Sequence, residues 1–145
     1  MEYLDKLTNL ETLTLTLIGE ARGEPIEGQV AVGCVIRNRS EQWKRSIKEI
    51  CLQPRQFSCW NIDDPNRALL VELAEKMVMG TGLNSIVYAQ CQYVALGIVN
   101  HEILDNTHGA LNYLTTSLFA SDAKPDWAKN VSSAVVKGKQ TFLKV

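Results

Sequence analysis

Much of what this chain is not can be read from what its sequence lacks. No stretch approaches the roughly 18 consecutive apolar residues of a membrane span, so stable bilayer insertion is not expected. There is no low-complexity run and no evident internal repeat, so a repeat architecture is not expected. The four cysteines, Cys34, Cys51, Cys59 and Cys91, form no C-x-x-C pair and show no zinc-finger spacing. No metal site and no cofactor is therefore expected. Met1-Glu2-Tyr3-Leu4-Asp5-Lys6 is mixed in charge and runs straight into a helical pattern, unlike a secretory signal peptide, so a cytoplasmic start is expected. A formal charge of −1 gives no push toward nucleic acid or anionic membrane. Lys124, Lys129, Lys137, Lys139 and Lys144 outnumber Asp122 and Asp126 beyond residue 121, a spread that reads as a solvated face.

What is present is an ordinary globular composition. At 145 residues and 46% hydrophobic, the chain is long enough for one domain with a real core. Leu10, Leu13, Leu17 and Ile18 recur at helical spacing and read as the apolar stripe of a first helix. Residues 28–39 form a second helix, apolar nearly all round and central to the core. Trp43 and residues 47–50 suggest a short third, ended by Gln53-Pro54. Asp63-Asp64-Pro65-Asn66 caps a helix over 67–78, Gly80-Thr81-Gly82 turns, and 85–101 form a long helix. Residues 110–114 look extended, and 133–142 read as a hairpin turning at Lys137-Gly138.

The chemistry concentrates where the first helix stops. Gly23 supplies a break and Pro25 disfavours helical backbone at Glu24, so Glu20 falls in the last helical turn. Burial against the apolar stripe and the negative end of the helix dipole both disfavour a charged carboxylate there. A carboxylic acid that keeps its proton is what protonating a glycosidic oxygen requires. Downstream, Arg55-Gln56-Phe57-Ser58-Cys59-Trp60-Asn61 is dense in aromatics and amides, the residue types that stack on sugar faces and bond sugar hydroxyls and N-acetyl groups. Phe57 and Trp60 are equally readable as core plugs. A thiol nucleophile would need a cysteine beside His101 or His108.

Gly19-Glu20-Ala21-Arg22-Gly23-Glu24-Pro25, Gly28-Gln29-Val30-Ala31-Val32-Gly33 and Asn38-Arg39 together resemble the signature of the SleB/CwlJ family of cell-wall hydrolases. The resemblance resumes at Gln56-Phe57-Ser58-Cys59-Trp60, at Gly109-Ala110-Leu111-Asn112-Tyr113, at Pro125-Asp126-Trp127-Ala128 and at Gly138-Lys139-Gln140-Thr141-Phe142. It implies an α+β, mainly α, lysozyme-like domain spanning 1–145, with a small β region lining a groove for peptidoglycan glycan strands. Glu20 would be the catalytic acid, with Tyr113 facing it across the groove. The expected substrate contacts are Gln29, Gln56, Phe57, Ser58 and Asn112. Family analogy also suggests that Asn38 and Arg39 tie the core to the groove wall; structural work is expected for Arg39.

Two departures stand out. No His falls between Ala110 and Tyr113, and Gln140 occupies the place of a family His, so no His-assisted step carries over. The sequence offers no convincing second carboxylate, which the usual retaining or inverting hydrolysis requires. That favours help from the substrate's N-acetyl group and a lytic transglycosylase outcome with 1,6-anhydro ends. A hydrolytic muramidase, with Glu24 or Asp63 assisting, and a silent glycan-binding module remain the alternatives. A monomeric, endolysin-like protein that is released to reach the wall is the expected biological setting.

Overall fold

A threonine–leucine alternation builds the centre of the molecule. In the computed structural model, which describes residues 2–83 and 85–145, a one-turn helix α1 (Glu2–Asp5) leads into α2 (Asn9–Ala21). The reading of the N-terminal hexapeptide lies outside the described residues at Met1. Thr12-Leu13-Thr14-Leu15-Thr16-Leu17 alternates like a strand and is rich in β-branched residues, yet it is helical. A complete capping box starts it: Thr8 accepts from the Glu11 backbone N–H, and the Glu11 carboxylate accepts from the Thr8 N–H. Each threonine then satisfies its own hydroxyl by donating to the carbonyl four residues back, at 2.8 Å for Thr12, Thr14 and Thr16. With no hydroxyl left unpaired, Thr12–Ile18 can be buried on every side. The expected one-sided stripe is instead the wholly buried hub of the fold, against which α3 to α6 pack.

Helix α3 (Ile26–Trp43) begins at the residue after Pro25 and runs four residues past the expected end. Lys44 stops it by entering the left-handed region at φ 54° and donating its N–H to the Ser40 carbonyl, a job usually left to glycine. Trp43 thus closes α3 rather than opening the next helix, α4 (Ile47–Leu52). A 3₁₀ turn at Ser58–Trp60 precedes α5 (Arg67–Val78), whose bounds match the expected ones. Helix α6 (Ile86–Val99) packs on α2 and α3. Its sequence is apolar all round, yet Ile86, Tyr93 and Leu96 lie exposed on its outer side.

The sheet has order β1-β3-β2, all antiparallel: β1 (Asn112–Thr115), β2 (Ser133–Lys137) and β3 (Gln140–Lys144). A short α7 (Thr116–Phe119) follows β1. The hairpin turns at Gly138-Lys139, one residue later than expected. Directly paired residues share a face. Tyr113, Phe142 and Val135 form one such row, and Phe142 and Tyr113 pack with the helical core. Leu114 and Leu143 build a second, smaller cluster with Ala128 on the opposite side. The sheet therefore presents its Tyr113 side to the helices.

Candidate active site

Glu20 sits in the last turn of α2, half-buried, as the break after it requires. The break is made differently from expectation. Gly23 takes no positive φ, and Arg22 keeps helical angles as the C-cap. The Arg22 guanidinium caps the helix end by donating to the Ile18 carbonyl at 2.8 Å and to Asn66 Oδ1 at 2.8 Å, which ties this corner to the start of α5. Pro25, extended at ψ 161°, then starts α3.

Two donors from distant stretches meet on the Glu20 carboxyl group. The Tyr113 hydroxyl donates to Oε1 at 2.8 Å, and the Cys59 backbone N–H donates to Oε2 at 3.2 Å. The Cys59 donor is aimed by the turn around it. Trp60 Nε1 donates to Thr16 Oγ1 at 3.0 Å, one helical turn before Glu20, and the Trp60 carbonyl accepts from Arg67. The Cys59 side chain also lies directly on Gly19: a Cβ there would come within 2.6 Å of Cys59 Cβ. Glycine at 19 is thus required by close approach, not by backbone angle. Burial first, and then the adjacent Glu20 carboxylate, push the Tyr113 hydroxyl well above the usual tyrosine range. Tyr113 is accordingly a proton-carrying donor rather than a base.

Arg39 joins the two walls beside this pair. Nearly buried, it donates through Nε to the Leu111 carbonyl at 2.6 Å, through Nη1 to Gln56 Oε1 and through Nη2 to Asn112 Oδ1, both at 3.3 Å. Its guanidinium lies over the Trp43 and Phe57 rings, 5.3 and 5.4 Å from their centroids. Burial lowers its pKa, but arginine stays charged in proteins. Asn38, one residue before, donates to Asp105 Oδ2 and to the Ala110 carbonyl, each at 3.0 Å. Both residues therefore tie α3 to the segment that carries Tyr113.

Of the expected substrate contacts, Gln56 and Ser58 are exposed and Asn112 is half-buried. With their carbonyl oxygens held by Arg39, Gln56 and Asn112 keep their –NH₂ groups as donors. Gln29 and Phe57 are placed elsewhere. Gln29 is fully buried, its Nε2 donating to the Glu24 carbonyl and to Gln90 Oε1, so it braces the α2–α3 corner and cannot meet a substrate. Phe57, 2% exposed, is a core plug under Arg39 and has no free face for a sugar.

The other candidates resolve as supports. Glu24 Oε2 accepts from the Lys139 N–H at 3.4 Å, and the chain there is so close that a Cβ on Gly138 (φ 61°) would meet that oxygen at 2.5 Å. Glu24 thus holds the β2–β3 turn down. Asp64 accepts from the Asn66 N–H at 2.8 Å and Asp63 is exposed. Among the described residues, no other carboxylate shares a hydrogen bond with Glu20 or Tyr113. The thiols are no nucleophiles. All four are buried, and burial pushes Cys34 and Cys91 up to about 11, Cys51 up to about 12, and Cys59 higher still beside Glu20. His101 and His108 are both exposed. No group of His, Cys, Asp and Glu among the described residues could hold a metal ion.

Sequence reasoning missed the Cys59 N–H, because a backbone donor leaves no side-chain pattern. The only available signal was the helix break at Pro54 just upstream.

Fold and site together define an α+β, mainly helical protein with a carboxyl–phenol pair where the central helix meets a small sheet. The chain belongs to the Cell Wall Hydrolase family, whose model matches residues 23–143, beginning just after Glu20. It is 40% identical over 52 residues to the spore cortex-lytic enzyme of Oceanobacillus iheyensis, a match covering 34% of this chain and 19% of that protein. The chain thus spans about a fifth of the length of that curated relative. Its fold is similar to the crystal structure of the catalytic domain of the Bacillus cereus SleB protein, with TM-score 0.64 and 23% identity over 94% of this chain and 89% of that one. It is also similar to the catalytic domain of the germination-specific lytic transglycosylase SleB from Bacillus anthracis, with TM-score 0.61 and 22% identity over 97% and 98%. No helix of the described residues is long and apolar enough to cross a membrane.

Proposed function

We propose that this protein cleaves the β-1,4 bond between N-acetylmuramic acid and N-acetylglucosamine in peptidoglycan, as a lytic transglycosylase. The observation that carries this reading is the 2.8 Å hydrogen bond from the Tyr113 hydroxyl to the Glu20 carboxyl group, which sets one acid against a phenol donor where the central helix meets the sheet. In the first step Glu20 gives its proton to the glycosidic oxygen while the C1–O bond breaks and its electron pair goes to that oxygen. The muramyl N-acetyl carbonyl oxygen closes on C1 and carries the positive charge. Tyr113 and the Cys59 N–H then hold the carboxylate left behind. In the second step that carboxylate takes the proton of the muramyl C6 hydroxyl, whose oxygen attacks C1 and frees the N-acetyl group. The product is a 1,6-anhydro ring, no water is consumed, and Glu20 ends protonated as it began. Substrate assistance of this kind is a known exception to the two-carboxylate rule. Membership of the Cell Wall Hydrolase family and the fold shared with the germination-specific lytic transglycosylase SleB of Bacillus anthracis support the reading.

Digestion of purified peptidoglycan followed by mass spectrometry is the test, run beside Glu20→Gln. Anhydro-muramyl ends from the wild type, absent in the variant, are expected. Reducing ends that accept borohydride would replace the transglycosylase with a hydrolytic muramidase. Unchanged cleavage by a folded Glu20→Gln would remove Glu20 from the chemistry. A wild type that binds but cuts nothing would leave a glycan-binding module.

A further inference from the structure

Beyond Tyr113, the sheet face turned toward Glu20 carries a row of polar side chains that the chemistry above leaves unused. In the antiparallel register Thr115, Gln140 and Lys137 form one directly paired row, and Tyr113, Phe142 and Val135 form the next row on the same side. Rows two residues apart are separated by about 6.6 Å along the strands. Burial along β2 confirms the facing: Ser133, Val135 and Lys137 are half-covered, while Ala134 and Val136 point to solvent. The polar row therefore lies one step along the sheet from the residue that touches Glu20.

Within that row the side chains differ in commitment. Thr115 is taken, its hydroxyl accepting from the Leu118 N–H at 3.2 Å. Gln140 and Lys137 are each half-buried, and neither side chain has a hydrogen bond or ion pair with any described residue. The nearby carboxylate, Glu24, is engaged by the Lys139 N–H at the hairpin tip. A half-buried lysine directly paired with a half-buried glutamine, neither side chain partnered among the described residues, offers two donors: one suited to an anion, the other to a carbonyl or carboxylate oxygen.

Taken with the glycan reading, on which this rests, the geometry points to Gln140 and Lys137 as a subsite for the carboxylate on the 3-O-lactyl arm of a muramyl sugar next to the cleaved bond. The carboxylate is either the arm's own, in peptide-free strands, or that of the stem peptide attached to it. The subsite would separate muramyl strands from plain N-acetylglucosamine polymers, which lack the arm. Lys137→Met and Gln140→Ala, each placed in the Glu20→Gln background so that nothing is cut, test it by calorimetric binding. The ligands are a peptide-free muramyl tetrasaccharide, the same sugar bearing stem peptides, and chitotetraose. Loss of one charge-assisted hydrogen bond predicts about tenfold weaker muramyl binding by Lys137→Met, a smaller loss for Gln140→Ala, and unchanged chitotetraose binding. Weakening confined to the peptide-free sugar assigns the lactyl carboxylate, which becomes an amide once a peptide is attached; weakening confined to the peptide-bearing sugar assigns the stem carboxylate, and weakening of both assigns a subsite that takes either. Unchanged muramyl binding, or equal weakening of chitotetraose, overturns the subsite while leaving the glycan reading standing. A parent that binds none of the three overturns both.

Discussion

The place of Glu20 at a helix end was legible in the break that follows it, whereas Tyr113 entered through the family resemblance alone, since an extended run after a loop marks no particular tyrosine. What the sequence did not mark is which of several polar and aromatic residues face inward. Gln29 stands in an apolar helix and Phe57 in an aromatic loop, and only the packing of α3 against the neighbouring elements decides that both are buried. At this scale, Tyr113→Phe should lower kcat on peptidoglycan about ten- to a hundredfold, since a hydrogen bond to a charged group is worth roughly 1.5–3 kcal/mol. Steady-state turnover with a thermal melt alongside checks it, and the melt should stay close to the wild type's. Arg39→Lys should behave in the opposite way. A lysine cannot serve three acceptors in a fork or bring a planar cation over the Trp43 and Phe57 rings, so about 2–3 kcal/mol of stability should go, read by urea denaturation.

Among the elements, the interiors of helices were readable and their ends were not. Helix α5 keeps its expected bounds although the expected cap is not made: Asn66 at the N-cap gives its oxygen to Arg22, and Asp64 accepts from the Asn66 N–H just before the helix. Helix α3 overruns because its stop is a lysine forced into a left-handed turn, which carries no sequence signature. The exposure of Ile86 and Tyr93 on α6 was equally hidden, since an all-apolar helix reads as buried on every side. For α2 the capping box is the testable part: Thr8→Ala should cost about 1 kcal/mol in denaturant unfolding. Gly19→Ala tests the contact between α2 and the 58–60 turn. The added methyl would overlap Cys59, so the turn must shift, with a loss of about 1–3 kcal/mol and a fall in kcat as the Cys59 N–H leaves Glu20.

At the scale of the whole molecule, one acid adds to the bonds by which Asn38 and Arg39 hold α3 to the segment leading to β1. Asp105 accepts from Thr107 Oγ1 at 2.6 Å, from the Thr107 and Gly109 N–H groups at 2.8 Å, and from Asn38 at 3.0 Å. Partial burial works against its charge, but the bonds from Thr107, Asn38 and Gly109 outweigh that and hold the carboxyl below the ordinary aspartate range. A folded-state pKa below the unfolded one means the stabilisation is complete above the unfolded value and drains away as pH falls through the folded one. Thermal melts from about pH 6 down to about pH 3 should therefore decline less steeply for Asp105→Asn than for the wild type. The four sealed sulfurs have a consequence of their own. All four are shut inside the same packed core, carried by different elements, so an alkylating reagent can reach them only when the protein opens. Counting modified thiols over time in native buffer would then clock that opening, and whether the four are lost together or one by one would say if the molecule comes apart as a unit.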